Sequence, residues 1–169
     1  PSISAVLDIF YSTKDRYERQ KQRKSDLVKL IGNNIERCNR KLAIWQEAIR
    51  NVSDRESLRL YGELITANIY SIPKNVRSIS LLNYYSENED YVVVPLEEDL
   101  TPQENAQKYF KKYAKAKSTY EYTNKQLKET ISELEYLESV MLVLENSTTL
   151  QEINEVRQEL MEQGYYKAK

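Results

Sequence analysis

The 169 residues carry 25 basic and 26 acidic side chains, and a net charge of −1 draws the chain toward neither nucleic acid nor membrane by bulk attraction. Histidine is absent and Cys38 stands alone, which excludes an internal disulfide, histidine-based proton transfer and most zinc sites. Three glycines and four prolines among 30 % charged residues favour long helices, and fourteen tyrosines against two phenylalanines suit a thin structure with half-wet rings.

Residues 2–52 hold no proline and one glycine, Gly32. Ile3, Val6, Leu7 and Phe10 form a helical stripe. The basic run Lys14–Lys24 follows, and then a 3–4 apolar spacing runs through Val28, Ile31, Ile35, Cys38, Leu42, Trp45, Ile49 and Val52. As one helix this segment would be about 75 Å long at 1.5 Å per residue. The polar run at Lys14–Lys24 is where a bend or frayed stretch is expected. Ser53-Asp54-Arg55-Glu56 reads as a capping box that opens a helix to about Asn68.

Pro73 and Lys74-Asn75 make a turn. Residues 76–85 and 91–96 are β-branched and aromatic, and read as a hairpin around Ser86–Asp90, with Ile69–Ile72 as a candidate third strand. Thr101-Pro102-Gln103-Glu104 opens a second long helix. Its seam runs through Ala106, Tyr109, Tyr113, Ala116, Tyr120, Thr123, Leu127, Thr130, Leu134, Leu137, Met141 and Leu144. A short helix over 150–163 starts at Thr149 and stops at Gly164.

The expected fold is mainly α with some β. It is a long antiparallel two-helix coiled coil (1–52 and 101–146), with a helix and β-hairpin module at the turn (53–100) and a short C-terminal helix and tail (147–169). Aligning Val52 with Ala106 would place Ile49 by Tyr109, Trp45 by Tyr113 and Cys38 by Tyr120. It would also set Lys14–Lys24 against 134–144, where Glu135 and Glu138 offer ion pairs; the alternative reading of this basic run is RNA binding.

No phosphate loop or nucleophile–base pair is present, and the chain is expected to bind and position rather than catalyse, with no cofactor and no metal. The acidic runs Glu87–Asp90 and Glu97–Asp99 lack calcium-loop spacing, and the first is more simply a solvated turn. Cys38 lies on the seam and is expected to be inert. The candidate binding surface is Lys108, Lys111, Lys112, Lys115 and Lys117, five lysines in ten residues without an acid, with Tyr109, Phe110 and Tyr113 among them. Arg50, Arg55, Arg59, Lys74 and Arg77 extend it. An uncompensated basic patch beside aromatics is the footprint of phosphate-backbone binding. Its plain alternative is a solvated lysine face beside a tyrosine seam.

No apolar run is long enough to span a bilayer and no signal peptide is visible. The chain opens at Pro1 without a methionine and reads as a piece of a longer protein.

Leu60–Tyr70, Asn83-Tyr84-Tyr85, Val94-Pro95-Leu96, Leu100–Tyr113 and Glu135–Glu138, with the entry Leu7–Tyr11, resemble in order and spacing the middle region of the NFACT family. Bacterial members of that family are known as RqcH or fibronectin-binding protein A, and the eukaryotic relative as NEMF. Lys74-Asn75 stands where many relatives have a glycine, and Asn can supply the same left-handed turn. The resemblance implies a cytoplasmic arm that binds large ribosomal subunits (rRNA and stalk-base protein) obstructed by peptidyl-tRNA. It implies a parent protein that recruits tRNA for C-terminal alanine tailing. The rival implication is a fibronectin-binding surface adhesin of a Gram-positive bacterium, which would bind through the hairpin edge.

Overall fold

The computed structural model describes residues 2–167. In chain order these form α1 (Ile3–Asn51), α2 (Arg55–Ala67), β1 (Ser78–Leu82), β2 (Tyr91–Pro95), α3 (Pro102–Glu145) and α4 (Leu150–Glu162). The mainly helical class is as expected. The chain divides into two compact units, one from Pro1–Ala43 with Lys128–Lys169 and the other from Ile44–Leu127.

In the first unit α1 and α3 run antiparallel. Arg37 meets Glu133, Lys24 Nζ donates to the carbonyls of Glu145 and Ser147, and Gln20 donates to the carbonyl of Thr148. The core is aliphatic: Leu27, Ile31 and Cys38 from α1, Leu137, Val140 and Leu144 from α3, and Ile153, Val156 and Leu160 from α4. The Thr149 hydroxyl caps α4 by accepting from the Glu152 amide. Gly164 then takes a φ of 82°, a left-handed helix exit suited to a residue without a Cβ, and Tyr165 and Tyr166 return to the core.

Two expectations for this unit are corrected. Helix α1 does not fray at Lys14–Lys24 and is continuous through it, because that run consists largely of good helix formers without Gly or Pro. The run also does not pair with Glu135 or Glu138. Lys24 lies by the C-terminal turn of α3, where it satisfies free carbonyls, and Arg19 pairs with Asp15 on its own helix.

In the second unit Trp45 of α1 meets Tyr122 of α3 edge to face, with ring centroids 6.1 Å apart. Helix α1 ends at Asn51, and α2 begins at Arg55 and lies along the first turns of α3. Arg55 stacks over Tyr120 at 3.7 Å, Arg59 over Tyr113 at 6.0 Å, and Tyr61 packs on Tyr109 at 5.2 Å. The expected register is therefore wrong. Trp45 meets Tyr122 instead of Tyr113, nine residues further along α3. The cause is α2: by covering the 106–120 seam it leaves α1 to pair only with the later turns of α3.

The hairpin is antiparallel, with Ser78 opposite Pro95 and Leu82 opposite Tyr91. Leu81 and Val94 face inward onto Leu64, Ile65, Ile72 and Ala106. No third strand forms among the described residues. Residues 69–72 are a turn closed by Ser71 N–H to the Asn68 carbonyl, and Ile72 enters the core from it. Asn75 takes a φ of 61°, the left-handed turn anticipated for it. The Thr101–Glu104 capping box forms with both reciprocal hydrogen bonds. The Ser53 box does not: Asp54 is the N-cap, without a side-chain bond, because the α1–α2 connection is too short to free Ser53 from the turn that follows Arg50.

Candidate nucleic-acid interface

At 3.6 residues per turn, Lys108, Lys111, Lys112 and Lys115 share one face of α3, while Lys117 falls roughly half a turn away. The opposite side of α3 is occupied by the Ala106–Thr123 seam, so the lysine face is left to solvent.

Its lower end is shaped by Asn105, only 4 % exposed. The Asn105 side chain accepts from the Glu97 amide at 2.9 Å and donates to the carbonyls of Glu97, Leu100 and Thr101. These bonds fix the β2–α3 loop and hold Glu97 beside Lys108, with which it forms an ion pair. The Lys108 hydrogen bond and charge, with a lesser contribution from Lys112, outweigh burial and keep the Glu97 carboxyl below its ordinary pKa. Tyr109 donates to the Pro95 carbonyl from the next turn, and burial pushes its phenol up. Asn105 and Glu97 were not legible as site residues. An Asn in a helix's first turn and a Glu in an acidic loop look like ordinary surface until the loop folds over.

The ten candidate cations separate into two groups. Lys108 pairs with Glu97, Arg50 with Glu47, Arg59 with Glu56 and Glu63, and Arg77 with Glu98. Arg55 donates to the Val52 carbonyl at 3.2 Å and stacks on Tyr120. Lys111, Lys112, Lys115, Lys117 and Lys74 are exposed and form no ion pair among the described residues. The unpaired charge on the shared face is thus Lys111, Lys112 and Lys115, narrower than the five-lysine run.

Elsewhere Cys38 is buried and burial raises its pKa, as an inert thiol requires. No cluster of metal-binding side chains occurs among the described residues, and no helix is long and apolar enough to cross a membrane.

A family model described as NFACT N-terminal and middle domains matches residues 1–169. The chain belongs to the NFACT family. Among its relatives, the Rqc2 homolog RqcH of Streptococcus suis is 36 % identical over 166 residues, which cover 98 % of this chain and 30 % of that protein. The Rqc2 homolog RqcH of Bacillus subtilis is 34 % identical over 168 residues, 99 % of this chain and 29 % of that protein. The chain therefore spans less than a third of the length of these relatives. Among solved structures, the C-terminal part of the fibronectin/fibrinogen-binding protein from Streptococcus suis superposes with a TM-score of 0.62 at 28 % identity. That match covers 89 % of this chain and 46 % of the other.

Proposed function

We propose that this chain is the ribosome-binding coiled-coil segment of an RqcH-type quality-control factor. It acts in the cytoplasm on large subunits obstructed by peptidyl-tRNA, as part of a protein that recruits tRNA for C-terminal alanine tailing. The segment binds and positions, and the peptide-bond chemistry is the ribosome's. The observation that carries this reading is the trio Lys111, Lys112 and Lys115, exposed and without an ion pair on one helix face while most neighbouring cations are paired. Lysines on a rigid helix read phosphate position rather than base identity. Family membership and the RqcH relatives supply the partner class.

Three phosphate contacts predict a modest salt dependence, a slope of about −2 to −3 in log affinity against log salt. The test is cosedimentation of the chain with purified large ribosomal subunits at two salt concentrations. Lys111→Glu/Lys112→Glu/Lys115→Glu is expected to abolish pelleting, and undiminished pelleting would remove the trio from the interface.

A second reading, fibronectin binding, is favoured by the likeness to the Streptococcus suis fibronectin/fibrinogen-binding protein and by the hairpin itself. Tyr84, Tyr85, Tyr91 and Val93 are exposed, and among the described residues no third strand pairs with either edge of the two-stranded sheet, the condition strand addition needs. It predicts capture of the chain by immobilised fibronectin, lost on Val93→Pro and indifferent to the lysine trio.

A further inference from the structure

The first unit has a groove of about 620 Å³ that the lysine face does not explain. Arg19, Arg23 and Lys29 of α1 line it from one side and Arg157 of α4 from the other, with Tyr166 and one acid, Asp26. Asp26 accepts from Gln22 Nε2 at 2.9 Å and keeps its charge, so the groove sets four cations against one acid.

The two half-buried arginines are held by neutral partners. Arg23 Nη1 donates to the Asn154 side-chain oxygen at 2.6 Å. Arg157 stacks over the Tyr166 ring at 5.1 Å and reaches its hydroxyl at 3.5 Å. A carboxylate in either place would cancel the charge, whereas an amide and a phenol fix the guanidinium and leave its charge for something else. Arg19 is paired with Asp15 at 3.1 Å, but its side chain is 78 % exposed and the pair is weak against a desolvated competitor. From Arg19 to Asn33 the groove follows α1 for about 21 Å, too long for one small anion and long enough for several consecutive phosphates.

We infer that this groove is a second phosphate-backbone site, separate from the lysine face, that takes a short single strand of RNA. Guanidinium forks read successive phosphates, and the Tyr166 ring beside them offers a stacking surface for a base. The choice of RNA over another phosphate polymer rests on the ribosome reading. The groove's demand for phosphates does not.

The test is fluorescence anisotropy of a labelled 12-nucleotide oligouridine titrated with the whole chain. Arg23→Gln/Arg157→Gln is expected to weaken binding at least tenfold and to flatten the salt slope by about 2, one unit per lost contact. Arg19→Glu, at a highly exposed position, is expected to weaken it at least threefold with an unchanged melting temperature, which guards against misfolding of the double variant. Wild-type affinity in both variants overturns the site. Pyrophosphate competing as well as unlabelled oligouridine at equal phosphate concentration overturns the RNA assignment. The same proteins are pelleted with large subunits. Groove-dependent oligouridine binding without pelleting of the wild type sinks the ribosome reading and leaves the groove standing. Normal pelleting with groove-independent oligouridine binding sinks the groove alone.

Discussion

The two units cover the same long helix, α3, by different means. Over its later turns α3 offers Leu137, Val140 and Leu144, and α1 and α4 close on them with aliphatic side chains. Over its earlier turns α3 offers Tyr109, Tyr113 and Tyr120, and α2 closes on them with arginines and a tyrosine. Gly62 lets α2 approach at this point, since a Cβ there would lie 2.9 Å from the Phe110 ring. Aliphatic seams hold by excluding water, and their strength follows buried area. Tyrosine seams hold by ring geometry and stacked cations and keep polar edges wet. The unit that presents the lysine face to solvent is the one with the wetter seam.

Four substitutions or titrations sharpen this contrast. Leu137→Ala, at a fully buried position, is expected to destabilise the first unit by about 2–5 kcal/mol through the cavity it leaves. Urea unfolding followed by amide exchange should show the loss in 128–160 and not in the hairpin. Uniform loss would mean that the two units unfold as one.

Asn105→Ala removes the anchor of the β2–α3 loop and strands the Glu97 amide, at an expected cost of about 2–3 kcal/mol confined to the second unit. Exchange at 97–100 should rise first.

The first unit should weaken at both extremes of pH. Burial, the Glu159 hydrogen bond and nearby acids push Tyr136 up to about 12, and burial with the Glu133 bond pushes Tyr165 up to about 12. A folded-state pKa above the unfolded value of 10.0 gives stability that is complete below pH 10 and lost as pH rises toward 12. Half-exposed edges limit it to about 1 kcal/mol per tyrosine. Glu133 runs the other way. Burial raises its pKa, but the Arg37 and Tyr165 hydrogen bonds outweigh burial and leave it below 4.5. Its contribution is present above that value and lost as pH falls through the lowered pKa. Tyr136→Phe, whose hydroxyl bonds Glu159, should shrink the alkaline arm of a melting temperature against pH curve and leave the acid arm in place, whereas Tyr165→Phe should shrink both arms, since its hydroxyl also helps lower Glu133.

The smallest effect is expected from Arg77→Ala. Its ion pair with Glu98 is solvent-exposed, so stability should change by less than about 0.5 kcal/mol. A larger loss would mean that the pair orders the loop.

Spacing alone determined much of this molecule. Every seam position named from Val28 to Val52 and from Ala106 to Leu144 is buried or half-buried. The capping signals at Thr101 and Thr149 and the left-handed Asn75 were equally readable, because each depends on neighbours a few residues away. Heptad phase says which face of a helix is covered, but not by which helix. A repeating apolar spacing does not say which turns of the two helices face each other, and only the packing of α2 on the tyrosine seam fixed the register. The same limit applied to charge. A run of five lysines is legible, yet the distinction between Lys108, neutralised by a Glu eleven residues earlier, and the free trio of Lys111, Lys112 and Lys115 required the loop to fold back under Asn105. The arginine groove had half a signature, since Arg19 and Arg23 belong to the basic run Lys14–Lys24, but its other wall comes from residues more than 130 positions away and had none. Local periodicity sets what each segment can bury, and only the tertiary fold decides which charges are left without a partner.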